Sequence, residues 1–136
     1  MLDVAIDGTA DPEPLRGALG PGRQTLSLMH AKRDGQACFA YLDGLTGLPE
    51  GGETRGRPGD VFVFGGDPSG PRRERSGQIV LVYGPDHLFV SPFDRGGRPR
   101  RYRRVGSFED VASLARLGEH VWRHGAREID LELVRA

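Results

Sequence analysis

Five residues have the types and positions to move protons at neutral pH: His30, Tyr41, Glu53, Asp67 and Tyr83. His30 ends the apolar run TLSLMHA, where a neutral imidazole can take or give a proton near pH 7. A hydrogen-bonded core histidine is the competing reading. Tyr41 and Tyr83 each close an apolar run, which places a phenol either at a pocket mouth or in the packing of a barrel end. Glu53 and Asp67 lie in glycine-rich stretches flanking an apolar segment, where a partly desolvated carboxyl group can protonate a leaving hydroxyl and its carboxylate can then accept a proton. The alternative is a solvated Glu53 and an Asp67 that caps its own turn.

Arg73 in RRER and Arg101 in RPRRYRR carry planar forks suited to a carboxylate or phosphate, and Phe64 is the expected apolar contact for a substrate. The second cluster reads equally as an arginine-rich edge strand that discourages edge pairing. As a strand, it would put Arg101 and Arg103 on one face and Arg100, Tyr102 and Arg104 on the other. His120 and His124 stand four apart on a helical stretch, a spacing that can chelate metal, but no third ligand is visible and His124 also suits a helix C-terminus. No metal and no cofactor are expected. Phosphate-loop, dinucleotide and Ser-His-Asp patterns are absent from the sequence.

The elements that must position these groups are mostly strands. Leu2, Val4 and Ile6 alternate with polar or small residues, as do Ile129, Leu131 and Leu133, so both chain ends read as strands that pair in one sheet. TLSLMHA and QACFAYL flank Lys32-Arg33-Asp34-Gly35, a hairpin signal. VFVFG (Val61 to Gly65) and QIVLVYG (Gln78 to Gly84) are apolar throughout, as central strands are. HLFVSPF (87–93) and RRYRRV (100–105) complete the set, and 43–58 reads as a long loop of the kind that carries a site. Ser107 and Asp110 make a capping-box-like start to a helix, Val111, Leu114, Leu117, Gly118 and Val121 form its apolar stripe, and Gly125 gives a left-handed stop. A second, short helix is expected over 12–19. The pattern predicts a mainly β fold with about eight strands in a closed barrel or sandwich capped by the helix.

With 136 residues the chain suits a single domain, 1–136, large enough to bury its own core. Nineteen basic residues balance nineteen acidic ones, so no global field recruits nucleic acid or membrane. All the basic residues except Lys32 are arginine, a bias that GC-rich coding also produces. Cys38 stands alone in an apolar run and reads as a small buried hydrophobe of a reducing compartment. The first fourteen residues carry acids where a signal peptide carries lysine or arginine, and the expected location is cytoplasmic.

The stretch Val61-Phe62-Val63-Phe64-Gly65-Gly66-Asp67-Pro68-Ser69-Gly70 resembles the strand and Gly-Gly-Asp-Pro turn of the cyclophilin prolyl isomerases, with Phe64 where those enzymes carry glutamine. More broadly, Met29-His30-Ala31, Pro58-Gly59-Asp60-Val61 leading to Gly65-Gly66, the strand ending Tyr83-Gly84, and the closing helix with Gly125-Ala126 and Ile129 are similar to the small bacterial cyclophilin-like proteins. The resemblance implies a closed eight-stranded barrel. The same fold group is similar to cucumopine synthase, which implies that such a barrel can host amine-plus-carbonyl chemistry. The expectation is a cofactor-free Pictet–Spengler-type cyclase acting on an aromatic amino-acid amine and an aldehyde or keto acid. The proton movers would be His30, Glu53, Asp67, Tyr41 and Tyr83, with Arg73 or Arg101 as carboxylate clamp. The alternatives are a non-catalytic ligand- or peptide-binding module and a residual prolyl isomerase. The expected partner is a small molecule, with self-association left open.

Overall fold

The unbroken apolar runs at 61–64 and 79–82 lie in the middle of the sheet, as strands covered on both faces must. A computed structural model describes residues 2–6, 23–30, 36–43, 55–65, 76–85, 87–88 and 102–135. Within them the chain is mostly strand with one helix. The elements are β1 (Leu2–Ile6), β2 (Arg23–His30), β3 (Ala37–Asp43), β4 (Arg55–Gly56), β5 (Asp60–Phe64), β6 (Ser76–Val82), β7 (His87–Leu88), β8 (Arg103–Ser107), α1 (Val111–His124) and β9 (Arg127–Arg135).

The main sheet runs β1-β8-β5-β6-β3-β2-β9, and β9 lies parallel to β1, with Leu2 opposite Leu131 and Ile6 opposite Arg135. The expected pairing of the two terminal strands is therefore present. β2 and β3 are antiparallel, with Met29 opposite Phe39 and His30 opposite Cys38. Their connecting turn at 32–35 lies outside the described residues, as does the expected short helix at 12–19. Two expectations change. Asp43 belongs to β3, and Arg55–Gly56 is a strand paired with His87–Leu88, so 43–58 is not one continuous loop. The arginine-bearing β8 is no edge: it is hydrogen-bonded to β1 on one side and β5 on the other.

Alternation along the central strands sorts their side chains onto two covered faces. One face gathers Cys38, Ala40, Val61, Val63, Ile79, Leu81 and Val105 with Phe108, Leu114 and Val121, and so faces α1. The other gathers Ala37, Phe62, Val80, Val82 and Tyr102. Each of the larger apolar side chains contributes roughly 1.5–3 kcal/mol by leaving water.

The helix forms from its stripe: Leu114, Gly118 and Val121 are buried, while Arg116, Glu119, His120, Arg123 and His124 face solvent. Its cap is Asp110, whose Oδ1 accepts from the Ser113 N–H at 3.0 Å and Oδ2 from the Ser113 hydroxyl at 2.6 Å. Those bonds hold the Asp110 carboxyl below its ordinary value. Ser107 cannot be the cap because its backbone is held in register with Ala5 and Asp60. At the other end the Gly125 N–H closes the helix on the Val121 carbonyl at 2.8 Å. Its φ of 86° and ψ of −168° have the expected positive φ but an extended ψ, a region open essentially only to glycine, and this turns the chain at once into β9. Among the described residues no helix is long and apolar enough to cross a membrane.

Candidate functional site

On the face away from α1, the strand registers set polar and aromatic residues in rows. Gln78 on β6 stands opposite Phe64 on β5 and Tyr41 on β3. Tyr102, just before β8, reaches across β5 and donates its phenol hydrogen to Gln78 Oε1 at 2.6 Å. In the next row Phe62 lies between Val80 on β6 and Arg104 on β8, and Val80 is opposite Phe39. Asp60 begins the third. The Phe39 and Tyr41 rings meet edge to face, centroids 5.3 Å apart and 88° between planes.

A bulge makes this arrangement. Val61 faces Gly106 but Phe62 faces Arg104, so Val105 is the extra residue. Val105 stays with the helix-side cluster, and Arg104 is placed across from Phe62 on the opposite face. There Arg104 Nε contacts Asp60 Oδ1 at 3.0 Å, while Asp60 Oδ2 accepts the Arg57 N–H at 3.1 Å. Asp60 thus fixes both a turn and an arginine.

Exposure grades across the patch. Tyr102 is 7 % exposed and Tyr41 59 %, so the row runs from a buried phenol to an open one. Burial, with Tyr41 adding to it, pushes the Tyr102 phenol up to about 12. At neutral pH Tyr102 is a neutral donor. Because Gln78 commits its oxygen to Tyr102, its amide hydrogens are what it offers a ligand. The patch can therefore hold a flat aromatic group against Phe39 and Tyr41 and give hydrogen bonds to a carbonyl or carboxylate.

The raised phenol predicts an alkaline effect of definite sign. The unfolded chain releases the Tyr102 proton near pH 10 and the folded chain near 12, so stability is intact below about pH 10 and is lost between those values, by about 2–3 kcal/mol in all. Burial raises the Cys38 thiol to about 12 as well, which adds a loss of the same sign and makes it inert as a nucleophile at neutral pH. In a phenolate absorbance titration a step should appear near pH 12, and Tyr102→Phe should remove it and flatten the alkaline slope of denaturant unfolding. A titration that Tyr102→Phe leaves unchanged near pH 12 would contradict the burial of Tyr102.

The sequence-expected residues separate. Tyr41 joins Gln78 and Tyr102, and Phe64 is in register with Gln78. Tyr83 lies on the other side, packed against the helix-facing cluster at Gly118. His30 ends β2 in register with Cys38. Glu53, Asp67, Arg73 and Arg101 lie outside the described residues. Asp60, Gln78, Tyr102 and Arg104 were not singled out by sequence as a site. The one signal was the shared parity of Tyr102 and Arg104.

The His120 and His124 rings lie 4.7 Å apart on the exposed side of α1. Among the described residues no group of three or more His, Cys, Asp or Glu is placed to hold a metal ion. No protein-family model matches the chain, and no curated protein matches it.

Proposed function

We propose that this is a cyclophilin-like β-barrel protein that binds a small aromatic molecule at the Tyr41–Gln78–Tyr102 end of the sheet. The observation that carries this reading is the Tyr102–Gln78 hydrogen bond set beside the exposed Tyr41. The parallel β1–β9 ladder, which joins the two ends of the strand order, supports a closed barrel. The reaction proposed for the site is the cofactor-free Pictet–Spengler-type cyclisation of an aromatic amino-acid amine. The amine adds to an aldehyde or keto acid, water leaves as the protonated carbinolamine collapses, a ring carbon attacks the iminium carbon, and the ring proton departs to a base. Tyr102 holds the Gln78 amide so that its N–H groups can donate to a ligand oxygen, and His30, Glu53 and Asp67 are the proposed proton movers.

Incubation of the pure protein with tryptophan- and histidine-like amines plus a panel of aldehydes and keto acids, read by mass spectrometry, tests the reaction. A single stereoisomer at the summed mass less water, formed faster than without protein, supports the cyclase. Ligand returned unchanged but bound reduces the reading to a non-catalytic binding module, which the protonated state of Tyr102 at neutral pH also accommodates. Acceleration of cis–trans exchange in an X-Pro peptide would instead assign a residual isomerase.

A further inference from the structure

We infer that His120 and His124 form a two-imidazole binding site for a divalent transition-metal ion on the outer face of α1, tightest for Cu(II) and open to Ni(II) and Zn(II). The site is independent of the proposed function, because α1 packs against the face of the sheet opposite Tyr41, Gln78 and Tyr102. Three observations point to it. The first is convergence. Residues four apart on a helix stand one above the other, and here the two rings already meet, with centroids 4.7 Å apart and 45° between planes. A chelating pair gains affinity when its ligands are brought together before the metal arrives, and the backbone of α1 does this.

The second is access. Both histidines are exposed, while Leu114, Gly118 and Val121 carry the packing of the helix, so the core does not use either imidazole. The polar groups beside them are engaged with partners: Arg123 contacts Glu119 at 2.8 Å, and Arg116 donates to the Ser113 hydroxyl at 2.9 Å. The third is charge. His124 is the last residue of α1, where the carbonyls of the final turn carry partial negative charge that favours a cation. Arg116 and Arg123 oppose this, but Glu119 offsets one of them and the open solvent of this face screens the other. Ligand type then selects the ion. Imidazole nitrogen suits Cu(II), Ni(II) and Zn(II), with Cu(II) first in the affinity order, whereas Mg(II) and Ca(II) take oxygen ligands. Two protein ligands leave the remaining coordination positions to water.

The test is calorimetric titration of the full chain, free of any histidine tag, with the chlorides of Cu(II), Ni(II) and Mg(II). Cu(II) should bind at one equivalent, Ni(II) more weakly and Mg(II) not measurably. His120→Gln and His124→Gln should each weaken Cu(II) binding by about tenfold or more, since a single imidazole cannot chelate. Both side chains are exposed, so neither variant disturbs the core. A register control, Glu119→His with His120→Gln, keeps two histidines on α1 but sets them five apart, on different faces of the helix. It should bind Cu(II) no more tightly than the single variants. Equal affinity in the wild type and the single variants, or in the wild type and the register control, would overturn the chelate. Stability gives a second readout, because unfolding removes the helix that unites the rings. Saturating Cu(II) should raise the urea midpoint of the wild type more than that of the register control, and equal shifts would overturn the site as well.

Discussion

Phe62→Ala should cost the folded chain about 3–5 kcal/mol, the largest single loss expected from the sheet. The ring is 1 % exposed and sits with Ala37, Val80, Val82 and Tyr102 in the cluster away from the helix. Alanine removes the ring's transfer free energy and leaves a cavity that rigid strands on both sides, β6 and β8, cannot collapse into. Domains of this size hold about 5–15 kcal/mol in total, so much of the margin would go. Phe62→Leu keeps most of the volume and should cost about 1.5 kcal/mol or less. Urea denaturation with a common slope measures both. A loss under about 1 kcal/mol for alanine would mean that this face is not a packed layer.

What could be read from the sequence followed the reach of each signal. Val61 to Val63 and Ile79 to Val82 announced doubly covered strands because an apolar run without alternation has no solvent face to spare. The stripe from Leu114 to Val121 announced a helix for the same local reason. Ser107 looked like a cap because its spacing to Asp110 is right, but cap choice depends on whether a residue is free of the sheet, and Ser107 is not. The two-residue β4 and β7 carry too few side chains for any periodicity, and only their mutual pairing defines them. The bulge at Val105 is a property of two strands in register and has no one-strand signature. The candidate site is hidden in the same way. Tyr102 and Gln78 are 24 residues apart, Arg104 and Asp60 are 44 apart, and each pair meets only through the order β8-β5-β6. Tyr41 was legible as a phenol in an apolar strand, whereas its partners were not. Tyr83 carried the same local signal, yet alternation sends it to the helix side, so residue type alone could not separate the two tyrosines.

Gly118→Val should destabilise the protein by about 3 kcal/mol although valine is the better helix former. Gly118 is buried on the α1 face that meets the sheet, and a Cβ built there would overlap the ring and hydroxyl of Tyr83. Helix propensity favours replacing glycine by at most about 1 kcal/mol, for alanine, so overlap decides the sign. Even Gly118→Ala should lower stability, by about 1–2 kcal/mol, since Tyr83 packs against the helix-side core and cannot swing away without giving up those contacts. The close approach also explains why the stripe has a glycine in it: the tyrosine ring occupies the space a side chain would take. A double-mutant cycle isolates the effect. Tyr83→Ala alone should cost stability through the cavity it leaves, and in that background Gly118→Val should become far less harmful, because valine then fills vacated space. Additive losses would show that the two residues do not touch. The cycle also separates the two faces of the sheet. Tyr83 braces α1 from the side opposite Tyr41, Gln78 and Tyr102, so Tyr83→Phe should leave the affinity for an aromatic amine at that end of the sheet unchanged, and a Tyr83→Phe variant that lost it would move the ligand to the helix side of the sheet.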